Sequence, residues 1–157
     1  MKKKKIFRLS LIIFGLGAII VGGIAFYLYN MPHRDIQATK TDYHVEASSL
    51  VAEYLSNPRK ANEKYLDVGG ESKVLEVSGI IVSISEDFNN QKVVLLKSAS
   101  DKAGVSCTFM ESTNPQVEDF LEGEEVMVKG VIRSGASYDE DLEMYEHVIL
   151  EKCSLVP

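Results

Sequence analysis

Residues 9–29 form a stretch of 21 residues without a charged side chain, and this stretch constrains the fold more than any other feature. As a helix it would be about 31 Å long, close to the ~30 Å thickness of the hydrocarbon core of a bilayer. The rest of the chain is too short to enclose such a helix on every face and also to build its own core. The sequence therefore predicts a single transmembrane helix over residues 9–29.

The basic residues around this stretch predict its orientation. Residues 1–8 form a basic head with five cationic side chains, whereas Arg34 is the one basic residue that closely follows the stretch. By the positive-inside rule, the N-terminus is cytoplasmic and the C-terminal domain lies outside the cytoplasmic membrane. A cleaved signal peptide is the alternative, with Gly23 and Ala25 at the cleavage site. The apolar character continues to Tyr29, which favours an uncleaved signal-anchor, and no nearby cysteine could carry a lipid.

The charge of the remaining chain disfavours nucleic acid as a partner. All 23 acidic residues lie in residues 35–157 with 11 basic ones, a net charge of −12. Affinity for nucleic acid comes mainly from neutralisation of phosphates by Lys and Arg. Two cysteines exclude a disulfide-dense mini-protein and a four-thiolate metal site.

A linker over residues 30–46 and a helical preface over residues 47–68 precede the strands. Leu50, Tyr54 and Leu55 recur at helical spacing, and Ser48 or Ser49 is the expected N-cap. Asn57 and Pro58 then suit the N-cap and first position of a second short helix.

From residue 73 onwards the periodicity is that of strands. Five strands are predicted over residues 74–85, 92–97, 104–110, 124–133 and 142–156, with a short helix over 115–121. In the first strand the apolar alternation changes phase, which predicts a bend at Gly79 that turns Ile80, Val82 and Ile84 inward. The order β-β-β-α-β-β is the plan of a five-stranded OB-fold barrel over residues 73–157. An antiparallel sandwich is the competing fold.

Several strings also resemble the tRNA-anticodon-like (tRNA_anti-like) OB-fold family of bacterial envelope proteins. They are residues 57–65 (NPRKANEKY), 74–79 (VLEVSG), 105–109 (VSCTF), 123–130 (GEEVMVKG) and 150–153 (LEKC). The chain departs from the family pattern in an insert over residues 66–72 and in Val131, near which many members have a third cysteine. The resemblance implies an exported OB-fold domain without an assigned activity.

The candidate site residues follow from the fold. OB-folds bind ligands on the face of their second and third strands and on two flanking loops. These loops correspond to residues 86–91 and 134–141, which yields Phe88, Asn89, Lys92 and Tyr138 as candidate ligand-binding residues; packing at the barrel rim is the alternative for both aromatics. Cys107 and Cys153 lie in neighbouring strands of the predicted barrel and are a candidate disulfide, or else two buried free thiols.

No residue pattern predicts catalysis, a cofactor or a metal site. The three histidines are scattered, and no nucleophile elbow or phosphate-binding glycine loop is present. The sequence thus predicts a non-enzymatic, membrane-anchored binding module, whose partner is an envelope protein, a peptide or a glycan. Single-stranded nucleic acid is the alternative ligand, motivated by the fold alone.

Overall fold

The structure is a computed structural model that describes residues 15, 17–27, 29, 34–67, 69 and 71–157. It divides into two units, Met1–Arg34 and Asp35–Pro157. In the first unit the described residues between 15 and 29 are helical, and their large apolar side chains are exposed. No helix within the described ranges is both long enough and apolar enough to span a membrane. The basic head and residues 9–14, 16 and 28 of the predicted anchor lie outside these ranges.

The second unit is mainly β, with two α-helices and one 3-10 helix among its described residues. Its elements in chain order are β1 (Tyr43–Glu46), α1 (Ala47–Ser56), α2 (Pro58–Tyr65), β2 (Val74–Glu86), β3 (Lys92–Leu96), β4 (Val105–Phe109), the 3-10 helix (Asn114–Val117), β5 (Glu125–Ser134), β6 (Ser137–Asp139), β7 (Met144–Glu146) and β8 (Val148–Leu155).

Five of these strands close into a barrel. The strand order β2-β3-β4-β8-β5 returns to β2 through the β2–β5 pairing, and all pairs are antiparallel except β4–β8. Closure leaves no free edge between the first and last strands of the barrel. The predicted five-stranded barrel is confirmed, and the sandwich alternative is wrong.

The sequence did not predict β1, which lies within the predicted linker. It runs parallel to the first half of β2, with Tyr43 opposite Leu75. Long-range polar contacts hold this segment: the Asp42 carboxylate accepts the Val74 backbone N–H at 2.8 Å, and Lys129 Nζ donates to two carbonyls of the preceding turn at 2.7 and 3.0 Å. A four-residue strand that depends on such distant partners has little local signal.

The bend in β2 lies beyond Gly79, so part of its predicted inner face is wrong. Ile81 is buried, whereas Ile80 is 47% and Val82 44% exposed. The register slips between Ile81 and Ser83, where Val82 is the extra residue of a bulge. The phase change predicted from the sequence therefore occurs there. Gly79 is needed for a different reason, because a Cβ at this position would come within 3.0 Å of the Cβ of Ala47 in α1.

The helix starts are confirmed in part. Asn57 caps α2 through its side-chain oxygen, which accepts the Lys60 backbone N–H at 3.1 Å, and Pro58 is the first residue of α2. The N-cap of α1 is Glu46 without a side-chain cap bond, so the prediction of Ser48 or Ser49 is wrong. Ser48 instead donates to the Asp101 carboxylate at 2.6 Å, in the loop between β3 and β4.

Two further elements differ from their predicted form. The helix between the third and fourth barrel strands is a single 3-10 turn, in which the Gln116 backbone N–H bonds to the Thr113 carbonyl at 3.0 Å. It is shorter than the predicted helix over residues 115–121. Thr113, which precedes it, donates to the Cys153 carbonyl at 2.7 Å. The predicted last strand divides into β7 and β8 at His147, and β7 pairs with β6 as a separate hairpin. The predicted polar loop over residues 134–141 thus contains a strand.

Residues of α1, α2 and the barrel share one hydrophobic core. Tyr54 and Tyr65 are 1% and 0% exposed, and their rings stack with centroids 6.0 Å apart. The ring of Tyr54 lies directly against Gly135, where a Cβ would come within 1.9 Å of it. Gly135 therefore allows α1 to approach the segment between β5 and β6.

We predict that Gly135→Ala lowers the free energy of unfolding by about 3 kcal/mol, because the added methyl group would displace a fully packed aromatic ring. Urea unfolding of the full chain, followed by circular dichroism, measures this change. Gly69→Ala is the matched control and should change stability by less than about 0.5 kcal/mol, since its Cβ meets one exposed Asp67 oxygen at 3.1 Å. Equal stability of the two variants would contradict this packing.

Candidate binding cleft

The turn between β2 and β3 brings together three of the four predicted ligand-binding residues. The Phe88 side chain is fully exposed, and the Asn89 backbone N–H donates to the Asp87 carboxylate at 2.8 Å. Lys92 Nζ lies 2.8 Å from Glu86, whose hydrogen bond raises the pKa of the Lys92 ammonium. The cation of Lys92 is thus paired with a carboxylate on the neighbouring strand.

Tyr138, the fourth predicted residue, lies elsewhere, beside the loop at the other end of β3. It is 49% exposed and pairs with Tyr145 across the β6–β7 hairpin, with ring centroids 4.8 Å apart. Both rings line an open cleft of about 450 Å³. The residues that line it are Tyr54, Leu55, Pro58, Lys102, Ala136, Ser137, Tyr138 and Tyr145.

The helices form the opposite wall of this cleft. Leu55 ends the buried side of α1, and Pro58 begins α2 immediately after the Asn57 cap. Lys102 lies at one side, with its Nζ 5.3 Å from the centroid of the Tyr145 ring, a cation–π distance. The cleft is therefore aromatic and aliphatic, with one cation at its margin.

Tyr54 contributes an unusual polar atom to this region. Its hydroxyl is buried and has no hydrogen-bond partner among the described residues. Burial, together with the nearby Tyr65 and Glu53, raises the pKa of the Tyr54 hydroxyl to about 12, so the group stays neutral. The Tyr54 ring is well packed, but its buried hydroxyl without a hydrogen-bond partner lowers the stability of the fold.

The base of the hairpin is fixed by polar contacts. His147 Nδ1 accepts the Gly104 backbone N–H at 3.0 Å, and Ser137 Oγ donates to the Glu146 carboxylate. Burial and then the charge of Lys97 lower the pKa of His147, which favours the neutral imidazole that can accept this bond. The His147 bond ties the base of the hairpin to the loop that carries Lys102, and the Ser137 bond joins the two strands of the hairpin.

The tip of the hairpin is acidic. Residues 139–146 contain five carboxylates and no basic side chain. Asp139 caps the turn by accepting the backbone N–H groups of Asp141 and Leu142 at 2.8 and 2.9 Å. Glu140, Asp141 and Glu143 are exposed and make no ion pair within the described part of the chain.

The outer face of β3 and β4 is neutral. Its paired positions are Val93 opposite Thr108 and Leu95 opposite Ser106, while the alternate residues of both strands point into the core. Proteins that bind single strands place aromatic rings and a basic groove on such a face. These four side chains include no ring and no charge.

A hydrogen-bonded cluster that the sequence did not predict joins α1 to α2. Lys64 Nζ contacts both Glu53 oxygens at 3.1 and 2.9 Å, and the Tyr65 hydroxyl donates to Glu53 at 3.0 Å. Tyr65 and Glu53 raise the pKa of Lys64 to about 12, and the bond from Lys64 lowers the pKa of the Glu53 carboxyl. Lys64 and Tyr65 end the NPRKANEKY string, but Glu53 lies before it in α1, so no motif in the sequence links the three residues.

The two cysteines lie next to each other in the core. Cys107 and Phe109 are on the same face of β4, Phe109 is opposite Cys153 in the parallel β4–β8 pair, and the two thiols are within hydrogen-bond distance. Both thiols are fully buried and free. Burial and then the neighbouring Cys107 thiol raise the pKa of Cys153, so it is not an activated nucleophile.

Comparisons with known proteins support the same fold. Residues 1–141 match the family model described as tRNA_anti-like. Among solved structures, one from Klebsiella pneumoniae, described as a "putative nucleic acid-binding lipoprotein", aligns with a TM-score of 0.52 and 18% sequence identity. The alignment covers 72% of this chain and 91% of that one, and at this identity it shows the fold alone. No curated protein matches the chain.

We predict that the two core tyrosines respond in opposite directions to loss of their hydroxyl groups. Tyr54→Phe removes a buried group without a partner and should raise the free energy of unfolding by about 1 kcal/mol. Tyr65→Phe removes the donor to Glu53 and should lower it by about 1 kcal/mol. Each variant is the control of the other, because size and aromatic packing are unchanged. Equal shifts in urea unfolding midpoints would contradict the assigned hydrogen bonding.

Proposed function

Because the chain belongs to the tRNA_anti-like family, we propose that its OB-fold domain is a non-enzymatic binding module, tethered to the outer side of the cytoplasmic membrane. Its partner is a component of the cell envelope other than nucleic acid. The observation that carries this proposal is the open cleft between the β6–β7 hairpin and the α1–α2 junction, with Tyr138 exposed at its rim.

Features of residues 1–34 support the tether. The uncharged stretch over residues 9–29 follows a basic head, and its described residues are helical with exposed apolar side chains such as Ile19 and Phe26. Exposed apolar side chains on a helix are stable when lipid or protein covers them. The Klebsiella protein is described as a lipoprotein, which fits an envelope location for this fold.

The roles of the titratable groups favour binding over catalysis. Four groups in the helices have shifted pKa values, and three of them, Glu53, Lys64 and Tyr65, are bonded to one another and join α1 to α2. The fourth, the Tyr54 hydroxyl, is buried. An active site needs such groups to be available to a substrate. In the oxidising exterior, a Cys107–Cys153 disulfide is also part of the proposal, because the two thiols interact across neighbouring strands.

Nucleic acid is the second candidate ligand, since the description of the Klebsiella protein names it. Two features of this chain oppose that role. Residues 35–157 carry a net charge of −12, and the outer face of β3 and β4 presents Val93, Leu95, Ser106 and Thr108 in place of rings and cations. Neutralisation of phosphates and stacking of bases on aromatic rings, the two sources of affinity in single-strand binders, are therefore weak.

We predict that a cysteine introduced by Leu142→Cys reacts with a membrane-impermeant maleimide in intact cells, because this position is 67% exposed on the proposed outer domain. Lys4→Cys, in the basic head, is the matched control and should react after permeabilisation alone. The native thiols add no background, since both are fully buried. Labelling of position 142 that requires permeabilisation would refute the external location.

We predict that the full chain in detergent does not bind single-stranded oligonucleotides, because the surface potential of its acidic domain repels phosphates. Fluorescence polarisation with labelled dT12 and a 12-nucleotide RNA at 50 mM salt measures this. A dissociation constant below about 10⁻⁵ M that weakens in Phe88→Ala or Tyr138→Ala would establish the second candidate instead.

A further inference from the structure

We propose that His147 is a pH-sensitive switch, which holds the β6–β7 hairpin on the barrel while its ring is neutral and releases the hairpin when the ring is protonated. The hairpin forms one wall of the cleft, so its release moves Tyr138 and Tyr145 away from the binding surface. This inference rests on the proposed function, because it names how ligand binding at the same cleft is regulated.

The hairpin depends on contacts at its base. β6 and β7 pair with each other as a two-stranded sheet, and within residues 71–157 neither pairs with a strand of the barrel. A two-stranded hairpin by itself is at best marginally stable in water. Ala136, which is 2% exposed, packs at the start of β6, and His147 binds the barrel at the end of β7. The position of the hairpin is therefore sensitive to the loss of either contact.

The bond of His147 requires a neutral ring. Its Nδ1 accepts the Gly104 backbone N–H at 3.0 Å. A backbone amide nitrogen can act as a donor alone, so Nδ1 must carry no proton. The Gly104 carbonyl accepts the Val148 backbone N–H, also at 3.0 Å. Gly104 is thus bonded to both residues at the junction between β7 and β8.

A proton on Nδ1 removes one of these two bonds. The imidazolium N–H and the Gly104 N–H are both donors, so they cannot bond to each other. The Val148 bond does not involve the ring, and β8 begins its pairing with β4 at Val148. The barrel therefore keeps its closure, and the opening is confined to the hairpin.

The surroundings of His147 set the direction of the pH response. Burial and then Lys97, which follows β3, lower the pKa of His147. The segments that the bond joins also carry Asp101, Lys102 and Glu146, and each of these has its own contact partner. Since the closed hairpin disfavours the charged ring, the open hairpin gains population as the pH falls below about 6.5, the ordinary pKa of histidine.

Hydrogen exchange with mass spectrometry, on the full chain in detergent at pH 7.0 and pH 5.0, tests this switch. After correction for the intrinsic pH dependence of exchange, amides of residues 137–146 should exchange about tenfold faster at pH 5.0. Amides of β5 in the same sample should change by less than about twofold, because the barrel stays closed.

Three variants separate His147 from other titratable groups. His147→Asn places an amide oxygen where Nδ1 lies, and this oxygen accepts the Gly104 bond at both pH values, so the response should disappear. His44→Asn and Glu146→Gln are the matched controls and should keep the full response. His44 lies in β1, and Glu146 bonds to Ser137 within the hairpin.

A pH response that persists in His147→Asn, or that is lost in either control, would overturn the proposal. Titration of the His147 ring by NMR in the unaltered chain is a second test that needs no variant. Its midpoint should coincide with that of hairpin exchange, and a difference above about 0.5 pH unit would also overturn the switch. These results do not depend on where the protein resides. A negative outcome with external labelling of position 142 intact would refute the switch and leave the tethered module standing.

Discussion

The closed barrel depends on the length and curvature of β2. Its first half pairs with β5, from Val74 opposite Val131 to Ile80 opposite Glu125, and its second half pairs with β3. One strand can serve both partners because the bulge at Val82 increases its twist where the pairing changes. The same strand carries Gly79, whose missing side chain admits the start of α1. The closure of the barrel, the packing of its core and the position of α1 thus all depend on this one bent strand.

The helices are positioned by aromatic packing, with hydrogen bonds in support. Tyr65 stacks on Tyr54 and meets Tyr43 of β1 edge-on at 5.4 Å, so one ring links both helices to the sheet. Gly135 provides the space that Tyr54 requires. The cleft is a consequence of this arrangement, because the ring that fixes α1 against the β5–β6 segment also sets the distance between the helices and the hairpin.

Much of the barrel could be predicted from local patterns, and the candidate site only in part. Val105, Cys107 and Phe109 alternate strictly and are all buried, as the period of a strand requires. The sequence does not predict β1 because this segment is held by bonds between distant residues, Asp42 with Val74 and Lys129 with Gln37. The sequence predicts that Tyr138 is an aromatic residue of a loop. It does not relate Leu55, Pro58 and Lys102 to Tyr138, since they are distant along the chain and no periodicity links them.

Local patterns in the sequence are enough to predict the succession of barrel strands along the chain, the Asn57–Pro58 helix start and the separation of a basic N-terminus from an acidic domain. Each depends on neighbours along the chain: residue spacing, a local cap or a count of charges. The bulge of β2 at Val82, the division of the last predicted strand at His147 and the set of side chains at the cleft follow from tertiary contacts. Those outcomes depend on register and packing between segments far apart in the chain, where a contact has no local signature.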